Sequence, residues 1–149
     1  MYTVKQVAEK MGISAYTLRY YDKEGLFPHV SRDENNVRLF SEKDLEWVHI
    51  VQCLRDTGMP LAEVKEYVQL CLVGDATIPE RYQLIQNQVQ KAQAELAAMA
   101  KRIDTLKIKV DYYNRLLEEQ EVDDCNPMSE VRSKEQPGTT GKQNTSMPA

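Results

Sequence analysis

GISAYTLRYYDKEGLFP, residues 12–28, fixes the reading of the chain. Gly12 closes whatever helix precedes it, and Ser14 is an N-cap residue whose hydroxyl accepts a backbone amide of the next turn. The helix that follows should run to about Glu24 and stop at Gly25. At 100° per residue, Tyr16, Arg19, Tyr20 and Lys23 occupy i, i+3, i+4 and i+7 and share one face, while Leu18 points to the opposite side. Tyr21 lies between, able to pack its ring while showing its hydroxyl. Hydroxyls and guanidinium groups held on stiff stems suit phosphate oxygens and base edges. Asp22 and Glu24 fall off that face and are not expected to cancel its charge. The same spacing also describes an ordinary solvated face with snorkelling aromatics.

The flanking segments favour the first of these readings. Upstream, Thr3-Val-Lys-Gln6 fits a capping box, and Val4, Val7, Ala8 and Met11 form an apolar stripe. Two short helices around a glycine turn make a helix-turn-helix. Downstream, Phe27–Phe40 holds Pro28 and Asp33-Glu-Asn-Asn36 between short extended pieces, the pattern of a hairpin or wing. Ser41-Glu-Lys-Asp44 resembles another helix start, with Thr57-Gly58 at its end. Pro60 fits the first turn of a fourth helix over residues 61–72, with Leu61, Val64, Val68, Cys71 and Leu72 on its buried face.

Beyond residue 77 the pattern changes. Ile78, Tyr82, Ile85, Val89, Ala92, Leu96, Met99, Ile103, Leu106, Val110, Tyr113 and Leu117 recur at alternating spacings of four and three, a 3.5-residue repeat. Such a helix spans roughly 60 Å, too long a seam for a small domain to bury. It calls for a second helix, most simply from another copy of the chain. Residues from Ile85 to Leu117 in this series are the expected dimerisation contacts. Residues 121–149, rich in Pro, Gly, Ser, Thr, Gln and Asn, should be a disordered tail. The division is thus 1–75, a winged helix-turn-helix domain with a helical hairpin; 78–118, a dimerisation helix; and the tail. The fold class is α-dominated.

Composition sets limits. Lys+Arg number 19 against 23 Asp+Glu, a net charge of −4, so any DNA binding must rest on a local surface rather than bulk charge. No apolar run approaches the ~18 residues of a membrane span, and MYTVKQVAEK lacks the pattern of a secretory signal; a bacterial cytoplasm is expected. Three widely spaced cysteines, Cys53, Cys71 and Cys125, suit neither a disulfide framework nor a four-cysteine metal site. No metal or other cofactor is expected. No phosphate loop or base–orienter constellation supports an enzyme. The competing class is a coiled-coil adaptor whose helical domain binds protein.

SAYTLRYYDKEGLFP, followed by VRLFSEKDLEWVHIVQCLRDTGMPLAEVKEYV and the long heptad helix, resembles the MerR family of bacterial transcription regulators over residues 1–117. The resemblance implies a winged helix-turn-helix head, an antiparallel coiled coil joining two subunits, and a near-palindromic double-stranded promoter element with an overlong spacer. It implies that bound DNA is distorted so that promoter elements realign for RNA polymerase, at a deformation cost on the order of 1–6 kcal/mol. Thr17, Arg19, Tyr20, Tyr21 and Arg38 carry over as DNA contacts; Tyr16 and Arg32 are added from the helix face and the wing. The wing departs from the family's tyrosine-arginine-any-tyrosine: here it reads Val37-Arg38-Leu39-Phe40, so wing contact leans on Arg38.

For the effector, the start of the long helix, GDATIPERYQ, carries none of the cysteines of metal-sensing relatives, and no ligand domain of the multidrug type follows the coiled coil. Cys53, with His49 one turn earlier, resembles the thiol-dependent branch that answers aldehydes, other electrophiles or nitrosative stress. A nearby protonated imidazole would favour the thiolate. Against this, free cysteines are commonly buried small hydrophobes, and Cys53 borders the Trp47, Ile50, Leu54 stripe. Cys71 reads as core, and Cys125 as an incidental exposed thiol.

Overall fold

A computed structural model describes residues 1–129. Strand β1 (Tyr2–Thr3) leads into α1 (Val4–Met11) and α2 (Ala15–Lys23), then β2 (Ser31–Arg32), β3 (Arg38–Phe40), α3 (Glu42–Asp56), α4 (Leu61–Val73), a 3₁₀ turn (Asp75–Thr77) and α5 (Ile78–Glu119). Two compact units divide the chain, Met1–Gln93 and a second beginning at Ala94. Among the described residues no helix is long and apolar enough to cross a membrane.

The helix starts follow their local chemistry. Thr3 Oγ1 accepts the Gln6 N–H at 3.3 Å, and the Gln6 carboxamide oxygen accepts the Thr3 N–H at 2.9 Å, completing the capping box. Gly12 takes φ 65°, a left-handed conformation that lets the chain leave α1 and enter α2 within three residues. Ser14 Oγ accepts the Thr17 N–H at 3.0 Å. At α3, Asp44 is 2% exposed, and its carboxylate receives both the N–H and the hydroxyl of Ser41 at 2.7 Å. Pro60 stands one residue before α4, as its N-cap rather than inside the first turn.

Strand β1 is not signalled in the sequence. It joins a three-stranded antiparallel sheet of order β1-β3-β2, with Tyr2 opposite Phe40, Thr3 opposite Leu39, and Arg32 opposite Arg38. A two-residue strand is too short to show alternation; it exists because β3 offers a free edge. The sheet ties the start of α1 to the wing.

Val7, Leu18, Leu26, Phe40, Val48, Val51, Met59, Val64 and Val68 are fully buried in one core, joined by Val4, Phe27 and Leu45. Phe27 meets Phe40 edge to face at 6.0 Å between centroids. The expected buried face of α4 holds at Val64 and Val68, with Leu61 and Cys71 half-buried, but Leu72 is 42% exposed. It lies only 40° round the helix from buried Val68, so its exposure comes from its place in the last turn of α4, beside the exposed Val73, and not from its face.

The first turns of α5 are fastened to the same unit. Arg81 donates from Nε to Thr77 Oγ1 at 3.1 Å and from Nη2 to the Gly74 carbonyl at 3.4 Å, and its Nη1 lies 3.8 Å from Cys71 Sγ. The buried Thr77 hydroxyl sits 2.6 Å from the Leu70 carbonyl. Burial, reinforced by Cys71, pushes the Tyr67 phenol above its ordinary pKa. Further on, Gln88 Nε2 donates to the Thr57 carbonyl at 2.8 Å, and Lys91 pairs with Glu63 at 2.9 Å.

In the second unit the chain turns back after α5, with Gln120 at φ 50°. Residues 121–129 carry no helix or strand; the remainder of the expected tail, 130–149, lies outside the described residues. The returning segment covers Tyr112, whose hydroxyl donates to Asp123 Oδ1 at 2.7 Å and accepts the Cys125 N–H at 3.2 Å. Cys125 is half-buried there, its thiol 3.6 Å from Asp124 Oδ1, and is not the exposed thiol expected from the sequence.

Candidate nucleic-acid interface

Helix α2 presents the face read from its periodicity. Leu18 is wholly buried and anchors the helix, while Tyr16 is 80% and Tyr20 44% exposed, with Arg19 and Lys23 also exposed. Among the described residues neither Arg19 nor Lys23 has an ion-pair or hydrogen-bond partner for its charged group. Thr17 is half-buried at the helix start, where its Oγ1 accepts the Ser14 hydroxyl at 2.7 Å and keeps its own proton to donate.

Tyr21 is half-buried, its ring 6.1 Å from that of Tyr20, and its hydroxyl accepts from Arg55 Nε at 3.4 Å. Arg55 also donates to the Met59 carbonyl at 2.8 Å. One guanidinium therefore braces the recognition helix against the α3–α4 corner. Sequence periodicity placed Tyr21 but not Arg55, because the contact joins residues 34 positions apart.

The wing differs from expectation in its charge. Arg38 forms an ion pair with Asp22 of α2, and both side chains are largely shielded. Asp22 is off the outward face of α2 and leaves the charges of Arg19 and Lys23 uncancelled, as expected; it faces the wing instead and holds Arg38 by Nε. The pair fixes the wing to the recognition helix and leaves the terminal guanidinium nitrogens with donors to spare. Arg32 is exposed and donates from Nη1 to the Asn36 carbonyl at 2.9 Å, bracing the turn. The DENN turn is held by Asp33 Oδ1, which accepts the N–H groups of Asn35 at 2.9 Å and Val37 at 2.8 Å, and by Asn36 at φ 61°.

Cys53 is exposed on α3, so it is no core residue. Its sulfur lies 3.6 Å from His49 Nε2. Among the described residues there is no group of three or more side chains able to hold a metal ion.

Comparisons with known proteins agree with this geometry. Residues 2–71 match the model of the MerR HTH family regulatory proteins, and residues 45–107 match that of the MerR DNA-binding region. An uncharacterized HTH-type transcriptional regulator of Haemophilus influenzae is 46% identical over 114 residues, covering 76% of this chain and 84% of that one. The HTH-type transcriptional regulator AdhR of Bacillus subtilis is 34% identical over 88 residues, 59% of this chain and 63% of its own. The crystal structure of HiNmlR, described as a MerR family regulator lacking the sensor domain and bound to promoter DNA, superposes with a TM-score of 0.63 at 45% identity, covering 77% of this chain and 91% of that one. These likenesses run through both the helix-turn-helix and the long helix, and they remove the adaptor reading. A winged helix-turn-helix with an outward donor face, continued by a long heptad helix, is here a DNA-binding transcriptional regulator and not an enzyme, and the chain belongs to the MerR family.

Proposed function

We propose that two copies of the chain pair along α5 as an antiparallel coiled coil and present two α2 helices to a near-palindromic promoter, distorting it to suit RNA polymerase. One observation carries this reading. The seam residues Ile85, Val89, Ala92, Leu96, Met99, Ile103, Leu106, Val110, Tyr113 and Leu117 are all exposed in the single chain, with Leu96 at 71% and Leu117 at 80%. An apolar stripe of that length at heptad spacing is covered by a second helix. Pairing in opposite directions sets the heads at a fixed separation, and a duplex whose half-sites lie further apart must twist or bend to meet them. Tyr16, Thr17, Arg19, Tyr20 and Tyr21 of α2 and Arg32 and Arg38 of the wing supply the contacts. The work is that of a soluble regulator in a bacterial cytoplasm, without a metal or other cofactor.

The signal is attack on Cys53 by an aldehyde, another electrophile or a nitrosating species. Its exposure admits a reagent, and a protonated His49 at 3.6 Å would stabilise the attacking thiolate. Similarity to AdhR is compatible with this branch of the family.

Sedimentation equilibrium at micromolar concentration, with gel shifts on a promoter library across a salt series, tests the first part. A persistent monomer, or a dimer indifferent to every duplex, removes it. For the sensor, Cys53→Ser should retain DNA binding and lose the transcriptional response to electrophiles; an unchanged response takes Cys53 out of the mechanism.

A further inference from the structure

We propose that a cleft between the start of α1, the outward face of α2 and the base of the wing is a seat for one backbone phosphate of the duplex, with Lys5 as a DNA-contacting residue. This deepens the DNA reading above and rests on it. The cleft has a volume of about 290 Å³, ample for a phosphodiester group. Val4 and Val37 line it, together with Lys5, Arg19 and Arg38.

Three cations from three elements meet in this one place, and the fold explains how. Thr3 pairs with Leu39 in the sheet, which sets the start of α1 beside Arg38. The Gly12 turn brings α2 back alongside α1, so that Arg19 faces the same space. Asp22 answers one of the three charges, that of Arg38. Lys5 and Arg19 have no anionic partner among the described residues. Converging like charges are unfavourable unless an anion comes between them.

The chemistry selected is that of a phosphodiester. The terminal guanidinium nitrogens of Arg38, left free by its Nε pairing with Asp22, and the Lys5 ammonium can share its two unesterified oxygens, while Arg19 on the rim remains available to a base edge. Apolar walls at Val4 and Val37 suit the sugar carbons that flank it. No base edge is needed, so the seat should position the head rather than read sequence.

The test uses the full chain and fluorescence anisotropy on two duplexes, a cognate promoter and a scrambled one, over a salt series. Lys5 is exposed and unpaired, so Lys5→Gln should leave the thermal unfolding curve in place. It should weaken binding by the same factor on both duplexes and flatten the slope of log K against log salt. The flattening should be about 0.9 for each Lys5, hence about 1.8 for a dimer. A methylphosphonate replacing the seated phosphate should weaken wild type and leave the variant little changed. An unaltered slope in Lys5→Gln, with wild type binding normally, overturns the phosphate seat alone. A loss confined to the cognate duplex also overturns it, by making Lys5 a base contact. Wild type that binds no duplex at all overturns the DNA reading and this inference together.

Discussion

Arg19→Ala isolates the chemistry of the recognition face from its folding. Arg19 is exposed, without a partner among the described residues, and points outward one position after the buried Leu18. Its removal breaks nothing in the head, and alanine is the best helix former. Stability should therefore stay within about 0.5 kcal/mol of wild type. A guanidinium contact to a base edge contributes about 1–3 kcal/mol of discrimination per site. In the proposed dimer two half-sites each lose it, and their separation makes the losses additive. The sum is about 2–6 kcal/mol, a weakening of roughly 30-fold to 10⁴-fold. Fluorescence anisotropy on the cognate promoter at one fixed salt concentration reads this directly, with thermal unfolding of the free protein as the control. The loss should be larger on the cognate duplex than on a scrambled one, unlike that of Lys5→Gln. If the variant and wild type bind the cognate promoter equally while both are folded, the assignment of the α2 face to DNA is wrong.

Other perturbations probe the parts that hold this face in place. Leu18→Ala opens a cavity beneath α2 at a fully buried site and should cost about 2–5 kcal/mol by urea denaturation; a loss under half a kilocalorie would mean the core under α2 is loose. Arg55→Met keeps the stem but removes the donors to Tyr21 and Met59; it should cost about 1.5–3 kcal/mol and weaken promoter binding although Arg55 is not among the proposed contacts. Unchanged affinity would show that the Tyr21 brace is idle. In a spectrophotometric titration, Tyr67 and Tyr112 should ionise later than the other tyrosines, both chiefly through burial, Tyr112 with help from its bond to Asp123. A phenol with a raised folded pKa stabilises the fold fully below the ordinary value near 10 and loses that contribution as pH climbs above it. The 121–129 return segment should therefore loosen above pH 10, and Tyr112→Phe should abolish that dependence; tyrosines that all ionise together near pH 10 would refute it.

Much of the architecture can be read from residue types because the deciding interactions are local. Thr3, Ser14 and Ser41 announce helix starts three residues before the amides they accept, and the heptad of α5 needs only its own spacing. What escapes is built from distant pairs. Strand β1 forms because Thr3 meets Leu39, and nothing in two residues forecasts a partner 36 positions away. Asp22 reads as an isolated charge until the wing brings Arg38 to it. Tyr112 and Tyr113 are equivalent in composition, yet one is covered by the returning chain and the other lies on the open seam. For the candidate site, periodicity identifies the outward residues of α2 correctly, while Lys5 stays invisible because its membership of the same cleft depends on the sheet.

The bond from Gln88 to the Thr57 carbonyl has a mechanical meaning. Thr57 closes α3, and Cys53 stands one turn before it on the same helix. A bulky adduct that tilts or slides α3 along its axis must drag the Thr57 carbonyl, and with it a glutamine rooted in the rod. Any shift of α3 along its axis is thus passed to α5 through the Gln88 amide, and Thr57 and Cys53 stand one turn apart on the same lever arm.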